Sequence, residues 1–159
     1  MGRTKNAKDY FAALQRLAES GNHLGPPPNR SQEDWEQLPT LEERVQTILG
    51  LANNKQRKST NMLFFVMYDI ESNKVRRYVV KYLEKKGCTR IQKSIFLADL
   101  SMEKYQDIRN DLAQVQAAYN NEDSILVVPI TTDYLRSMKV IGQNINVDII
   151  THTRNTLFF

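Results

Sequence analysis

Met62-Leu63-Phe64-Phe65-Val66-Met67-Tyr68-Asp69-Ile70 decides the fold: six consecutive apolar residues, 63 to 68, end in a lone acid, Asp69. A half-exposed strand would alternate apolar and polar side chains. An unbroken run of this length is instead expected of a central strand covered on at least one face. Asp69-Ile70-Glu71-Ser72-Asn73 then supplies turn chemistry, with helix caps available at Ser72 or Asn73. Val75, Tyr78, Val79, Tyr82 and Leu83 follow at the spacing of one apolar helix face, and Gly87 is placed to end that helix as its C′ residue.

Downstream, Cys88 to Leu100 reads as extended structure, long enough for one kinked strand or two short ones. Pattern alone leaves both open. Ser101 caps a second helix whose face is Tyr105, Ile108, Leu112, Val115 and Tyr119, and Asn120-Asn121-Glu122-Asp123 breaks it. Ser124 to Ile130 is a β-branched strand that Pro129 helps to terminate, and Asn146 to Ile150 is a candidate late strand. The order β-α-β(β)-α-β predicts an α+β protein, a split βαβ or ferredoxin-like βαββαβ sandwich.

Upstream, residues 1–61 have a different character and form a mainly helical extension to the domain 62–159. Tyr10, Phe11, Leu14 and Leu17 give an amphipathic helix over Ala7 to Ala18, stopped by Gly21, Gly25 and Pro26-Pro27-Pro28. A second helix spans Leu41 to Ala52, with Thr40 as N-cap, Glu43 in the capping-box position, and Leu41, Val45, Ile48 and Leu49 on its apolar face. Asn53 to Thr60 is wholly polar and reads as a linker. Two short helices bury little core alone, so the extension is expected to dock on the second half, to dock on a partner, or to stay mobile. Trp35 is either a docking anchor or a locally packed loop residue.

The chain has 159 residues and a formal charge of +4, a weak lean towards an anionic partner. Cys88 is the only cysteine, which excludes an internal disulfide framework. No apolar run approaches the roughly 18 residues of a membrane span, and Met1 to Tyr10 lacks a secretory pattern. The expectation is a cytoplasmic protein with no membrane contact.

Two features carry candidate chemistry. Asp69 stands at a strand end, where ligands gather in open sheets. It is either a cap of the following turn or an oxygen ligand for a hard cation such as Mg²⁺. One carboxylate makes a poor metal site, and a second copy related by a dimer axis would supply its partner. Glu71, Asp99 and Asp133 are acidic, but nothing in the sequence places them beside Asp69. The second feature is the charge run Lys74, Arg76, Arg77, Lys81, Lys85, Lys86, Arg90 and Lys93, opposed only by Glu84. Lys74, Arg77, Lys81 and Lys85 share one helix face, suited to successive phosphates or to an ordinary solvated surface. His23 and His152 are too few and too far apart in sequence for a histidine metal motif, and there is no nucleophile motif, glycine-rich phosphate loop or aromatic RNA-recognition run.

Tyr68-Asp69-Ile70 closing the first strand, the basic helix, Thr89-Arg90-Ile91-Gln92-Lys93-Ser94-Ile95-Phe96, and Asn121-Glu122-Asp123-Ser124-Ile125 before an apolar strand together resemble the CRISPR-associated protein two family over about 62–130. The resemblance implies a ferredoxin-like homodimer that bridges copies of the CRISPR integrase, protein one, and holds foreign double-stranded DNA during spacer acquisition. It also implies, as the alternative, a metal-dependent endonuclease with Asp69 of both subunits on Mg²⁺. An RNA-cleaving toxin of similar fold is a third reading. Lys74, Arg76, Arg77, Lys81, Lys85, Arg90 and Lys93 are the expected nucleic-acid contacts. Late strands in this family pair across the dimer or with the integrase, which suits Asn146 to Ile150 and Leu157-Phe158-Phe159. Family members commonly begin near the position of Met62, so the resemblance leaves residues 1–61 unexplained.

Overall fold

The structure, a computed structural model, describes residues 7–19, 38–119 and 121–140. The glycine and proline break at 21–28, Trp35, both histidines, and the late segments at 146–150 and 157–159 lie outside the described residues. The elements run α1 (Ala7–Glu19), α2 (Leu41–Ala52), β1 (Asn61–Asp69), α3 (Asn73–Lys86), β2 (Thr89–Gln92), β3 (Ile95–Ser101), α4 (Met102–Ala117), β4 (Ser124–Pro129) and α5 (Thr132–Ser137).

The four strands form one sheet in the order β2-β3-β1-β4 with every neighbouring pair antiparallel, consistent with the ferredoxin-like expectation. The ambiguous stretch after Cys88 resolves into two strands. β2 and β3 meet at a turn over Lys93-Ser94, and their register shifts between Arg90 and Gln92.

β1 is apolar from Met62 to Tyr68 because both of its faces are covered. Phe64, Val66 and Tyr68 point to one side, with Phe96 and Ala98 of β3. They meet Val75, Val79 and Leu83 of α3 and Tyr105, Ile108, Leu112 and Val115 of α4. Leu63 points the other way, with Leu97 and Ile91, against Ile48 and Ala52 of α2 and Leu135 of α5. Strand alternation thus feeds two cores rather than one core and solvent.

The second core explains where α2 goes. α2 starts as its sequence directs: the Thr40 side chain accepts from Glu43 N, and Glu43 returns the bond to Thr40 N. Its apolar face then lies on the sheet. Arg44 fixes the contact by donating from Nη1 to the Ile91 carbonyl at 2.8 Å. The polar segment between α2 and β1 is tied to the domain as well. Arg57 bonds the Asn61 carbonyl and forms an ion pair at 2.9 Å with Asp99, which lies opposite Leu63 in β3. α1 packs on the opposite side of the molecule, against α3 and α4, with Leu14 and Leu17 buried.

Helix α3 ends at Gly87, whose φ of 96° lies in the left-handed region that favours glycine. Its N–H and that of Cys88 return to the Glu84 and Leu83 carbonyls. Cys88 is buried, and burial pushes its thiol up to about 12, so at neutral pH the group is a small core hydrophobe rather than a nucleophile. No described helix is long and apolar enough to cross a membrane.

Candidate nucleic-acid interface

One end of the sheet collects most of the residues singled out by sequence. β1 finishes there at Asp69, β4 begins at its register partner Ser124, the β2–β3 turn brings Lys93, and α3 sets off from Ser72. Ser72 is the N-cap, its hydroxyl accepting from Val75 N, while Glu71 N is satisfied by Asp123 Oδ1 at 2.9 Å. These bonds correct the reading of Asp69 as the turn's cap. Asp123 takes the Glu71 N–H and Ser72 the Val75 N–H, and Asp69 is exposed with no side-chain hydrogen bond among the described residues.

The other acids do not join it. Asp99 is paired with Arg57 towards the far end of the sheet, and Asp133 lies beside Arg136 on α5. Asp123 is committed to Glu71 N and to the Tyr119 hydroxyl. Among the described residues no group of three or more His, Cys, Asp or Glu side chains is placed to hold a metal ion. Among the described residues of one chain the donor set does not fit Mg²⁺, which favours several oxygen ligands in octahedral array.

The basic residues gather on α3. It carries Lys74, Arg76 and Arg77 near its start and has no acid in its first turn. Cations there oppose the helix dipole, so this placement costs stability and concentrates positive potential on a terminus that already attracts anions. Lys74 and Lys81 are exposed and Arg77 half-buried, and with Asn73 and Tyr78 they line an open depression of about 490 Å³. The sequence did not single out Tyr78 for this surface, because its spacing assigns it to the apolar stripe. Arg76 donates to Asn73 Oδ1, while its buried Nε has no hydrogen-bond partner among the described residues. A buried guanidinium donor left open in this way is rare in folded chains. Lys85 is exposed farther along the same helix, and Lys93 is exposed on the turn.

Arg90 departs from its expected role as a phosphate contact. It is 7% exposed, and its Nε and Nη2 both donate to the Lys93 carbonyl, at 3.2 and 2.6 Å. The Tyr68 hydroxyl donates to the same oxygen at 2.9 Å, and Tyr68 N donates to the Ser94 carbonyl at 3.0 Å. Burial pushes the Tyr68 hydroxyl up, with the Arg90 guanidinium acting against that shift. Arg90 therefore clamps the turn that presents Lys93. Charge in a sequence does not reveal which way a strand residue faces, and here the kinked β2 turns this one inward. Arg90→Met is expected to lower stability by about 1.5–3 kcal/mol, the range for hydrogen bonds to charged groups. It should also leave the salt dependence of any binding to a DNA duplex unchanged. Denaturant unfolding and a salt titration read the two quantities; a shallower salt slope would return Arg90 to the interface.

Residues 62–138 match the family model described as CRISPR associated protein Cas2. A search of curated proteins returns no match to the chain.

Proposed function

We propose, from the match of residues 62–138 to the family model described as CRISPR associated protein Cas2, that the chain serves CRISPR adaptation as a nucleic-acid-binding homodimer. In this role it bridges the CRISPR integrase, protein one, and holds foreign double-stranded DNA while a spacer is acquired. The observation that carries the reading is the basic face of α3, where Lys74, Arg77 and Lys81 surround one depression at the cationic start of the helix. Side chains so placed meet successive phosphates without reading bases, as suits a protein that must hold DNA of any sequence.

The bridging role is tested by reconstitution with the cognate integrase. Asp69→Ala is expected to leave duplex binding and spacer integration essentially intact, since the basic face does the holding. Integration abolished in a variant that still folds and assembles would overturn the proposal.

A second reading is a Mg²⁺-dependent endonuclease that uses Asp69 from two copies of the chain. One observation favours it: the Asp69 carboxylate stands exposed at the strand end and is not used to cap the turn. This reading requires cleavage of RNA or DNA that a chelator stops and Asp69→Ala abolishes. Cleavage that persists in the variant belongs to another site or another protein.

A further inference from the structure

The helix α1 lies along the surface assigned above to DNA. Leu14 and Leu17 bury one side of α1 against the α3–α4 layer, and Arg16 Nη1 donates to Gln114 Oε1 of α4 at 3.0 Å. Towards α3, two of its groups engage the ends of the basic stripe. The Phe11 ring sits 5.3 Å from Lys74 Nζ. The Ala18 carbonyl, in the last turn of α1, accepts from Lys85 Nζ at 3.5 Å. α1 thus runs in the same direction as α3, and a cation at either end of the stripe is turned onto it.

Charge separates a cover from an extra arm of the interface. The α1 sequence holds two basic and two acidic residues, whereas α3 holds six basic residues against Glu84 alone. A helix with no net charge adds nothing to the positive field, but it occupies space and supplies competing partners. The aromatic face and the carbonyl end of a helix dipole are both electron-rich, and each stands in for a phosphate oxygen. These are exposed contacts to single cations, of the kind that a polyanion outcompetes.

We propose that α1 is a displaceable cover on the basic face of α3, through which the upstream extension sets the affinity of the chain for double-stranded DNA. The proposal rests on the reading of that face as the DNA-binding surface. Linkage makes the coupling reciprocal: DNA binding loosens α1, and any partner that draws α1 away strengthens DNA binding by the same factor.

The test uses the full chain carrying Leu14→Ala and Leu17→Ala, which weaken the docking of α1 while every basic residue of α3 is kept. Hydrogen exchange of the α1 amides reports its release, and binding to a random-sequence DNA duplex is followed across a salt series. Release is expected to raise affinity about three- to tenfold and to steepen the salt slope by about one to two, as Lys74 and Lys85 become free for phosphates. Faster exchange in α1 with unchanged or weaker DNA binding would overturn the proposal. If the double variant does not fold, Phe11→Ala takes its place, since the ring is 59% exposed. It should raise affinity, and Lys74→Gln should cancel the gain; no gain, or a gain that survives Lys74→Gln, counts against the cover. Reversal of Lys74, Arg77 and Lys81 to Glu is measured alongside. If that change leaves binding untouched, the DNA surface is misassigned and the cover falls with it. If it weakens binding while α1 release gains nothing, the cover alone falls.

Discussion

Replacing Lys74, Arg77 and Lys81 together by Glu is expected to weaken binding to duplex DNA by about a hundredfold or more near 0.1 M salt, and to reduce the salt slope by about three. Each cation neutralises one phosphate and releases one condensed counterion, so the three losses multiply in affinity and add in slope. The same change should leave the fold intact. Lys74 and Lys81 are exposed and Arg77 is half-buried, and an acid at position 74, in the first turn of α3, favours the helix dipole where the native cation opposes it. Stability is expected to hold or rise by a few tenths of a kcal/mol while binding collapses. Opposite movement of the two quantities separates a lost interface from an unfolded protein. Fluorescence anisotropy over a salt series, beside a thermal melt, measures both. Unchanged affinity at low salt would make the stripe an ordinary solvated face.

The largest loss of stability is expected from Phe64→Ala, at about 3–5 kcal/mol. Phe64 is 0% exposed in the central strand and meets Tyr105 of α4 edge-to-face, with ring centroids 4.9 Å apart. Truncation removes the apolar surface and leaves a cavity between sheet and helix that neighbours on both sides are too constrained to close. That loss is a large fraction of the roughly 5–15 kcal/mol that holds a domain of ordinary stability. Denaturant unfolding should show an earlier midpoint at unchanged m-value. A loss below about 1 kcal/mol would mean that β1 is not the central, two-sided strand described above.

Much of the fold was legible because local rules and tertiary packing agree. The run from Leu63 to Tyr68 is a strand, Thr40 with Glu43 caps α2, Ser72 and Ser101 cap α3 and α4, and Gly87 closes α3. α5 was not legible. Six residues give too short a period to recognise, and its signal reduces to Thr131 accepting from Tyr134 N. The segment Asn53 to Thr60 reads as a linker because its composition is polar, yet Arg57 is paired with Asp99 of β3. An ion pair between residues 57 and 99 leaves no mark in the local pattern.

The candidate site divides in the same way. Helical periodicity alone put Lys74, Arg77, Lys81 and Lys85 on one face, because 3.6 residues per turn fixes that relation wherever the helix sits. The sequence by itself determined the sheet-forming domain, its caps and the basic stripe, since these depend on chain-local geometry and on the identity of neighbouring side chains. Only the tertiary structure decided what each group meets: that Ser72 and Asp123, not Asp69, satisfy the turn; that Arg90 faces inward onto the Lys93 carbonyl; that α2 and α1 cover opposite sides of the molecule; and that Phe11 and Ala18 hold the two ends of the stripe. The physical reason is common to all four. Burial and partner choice are set by groups distant in the chain, and a sequence pattern records a residue's own preference but not the partner that the fold brings to it.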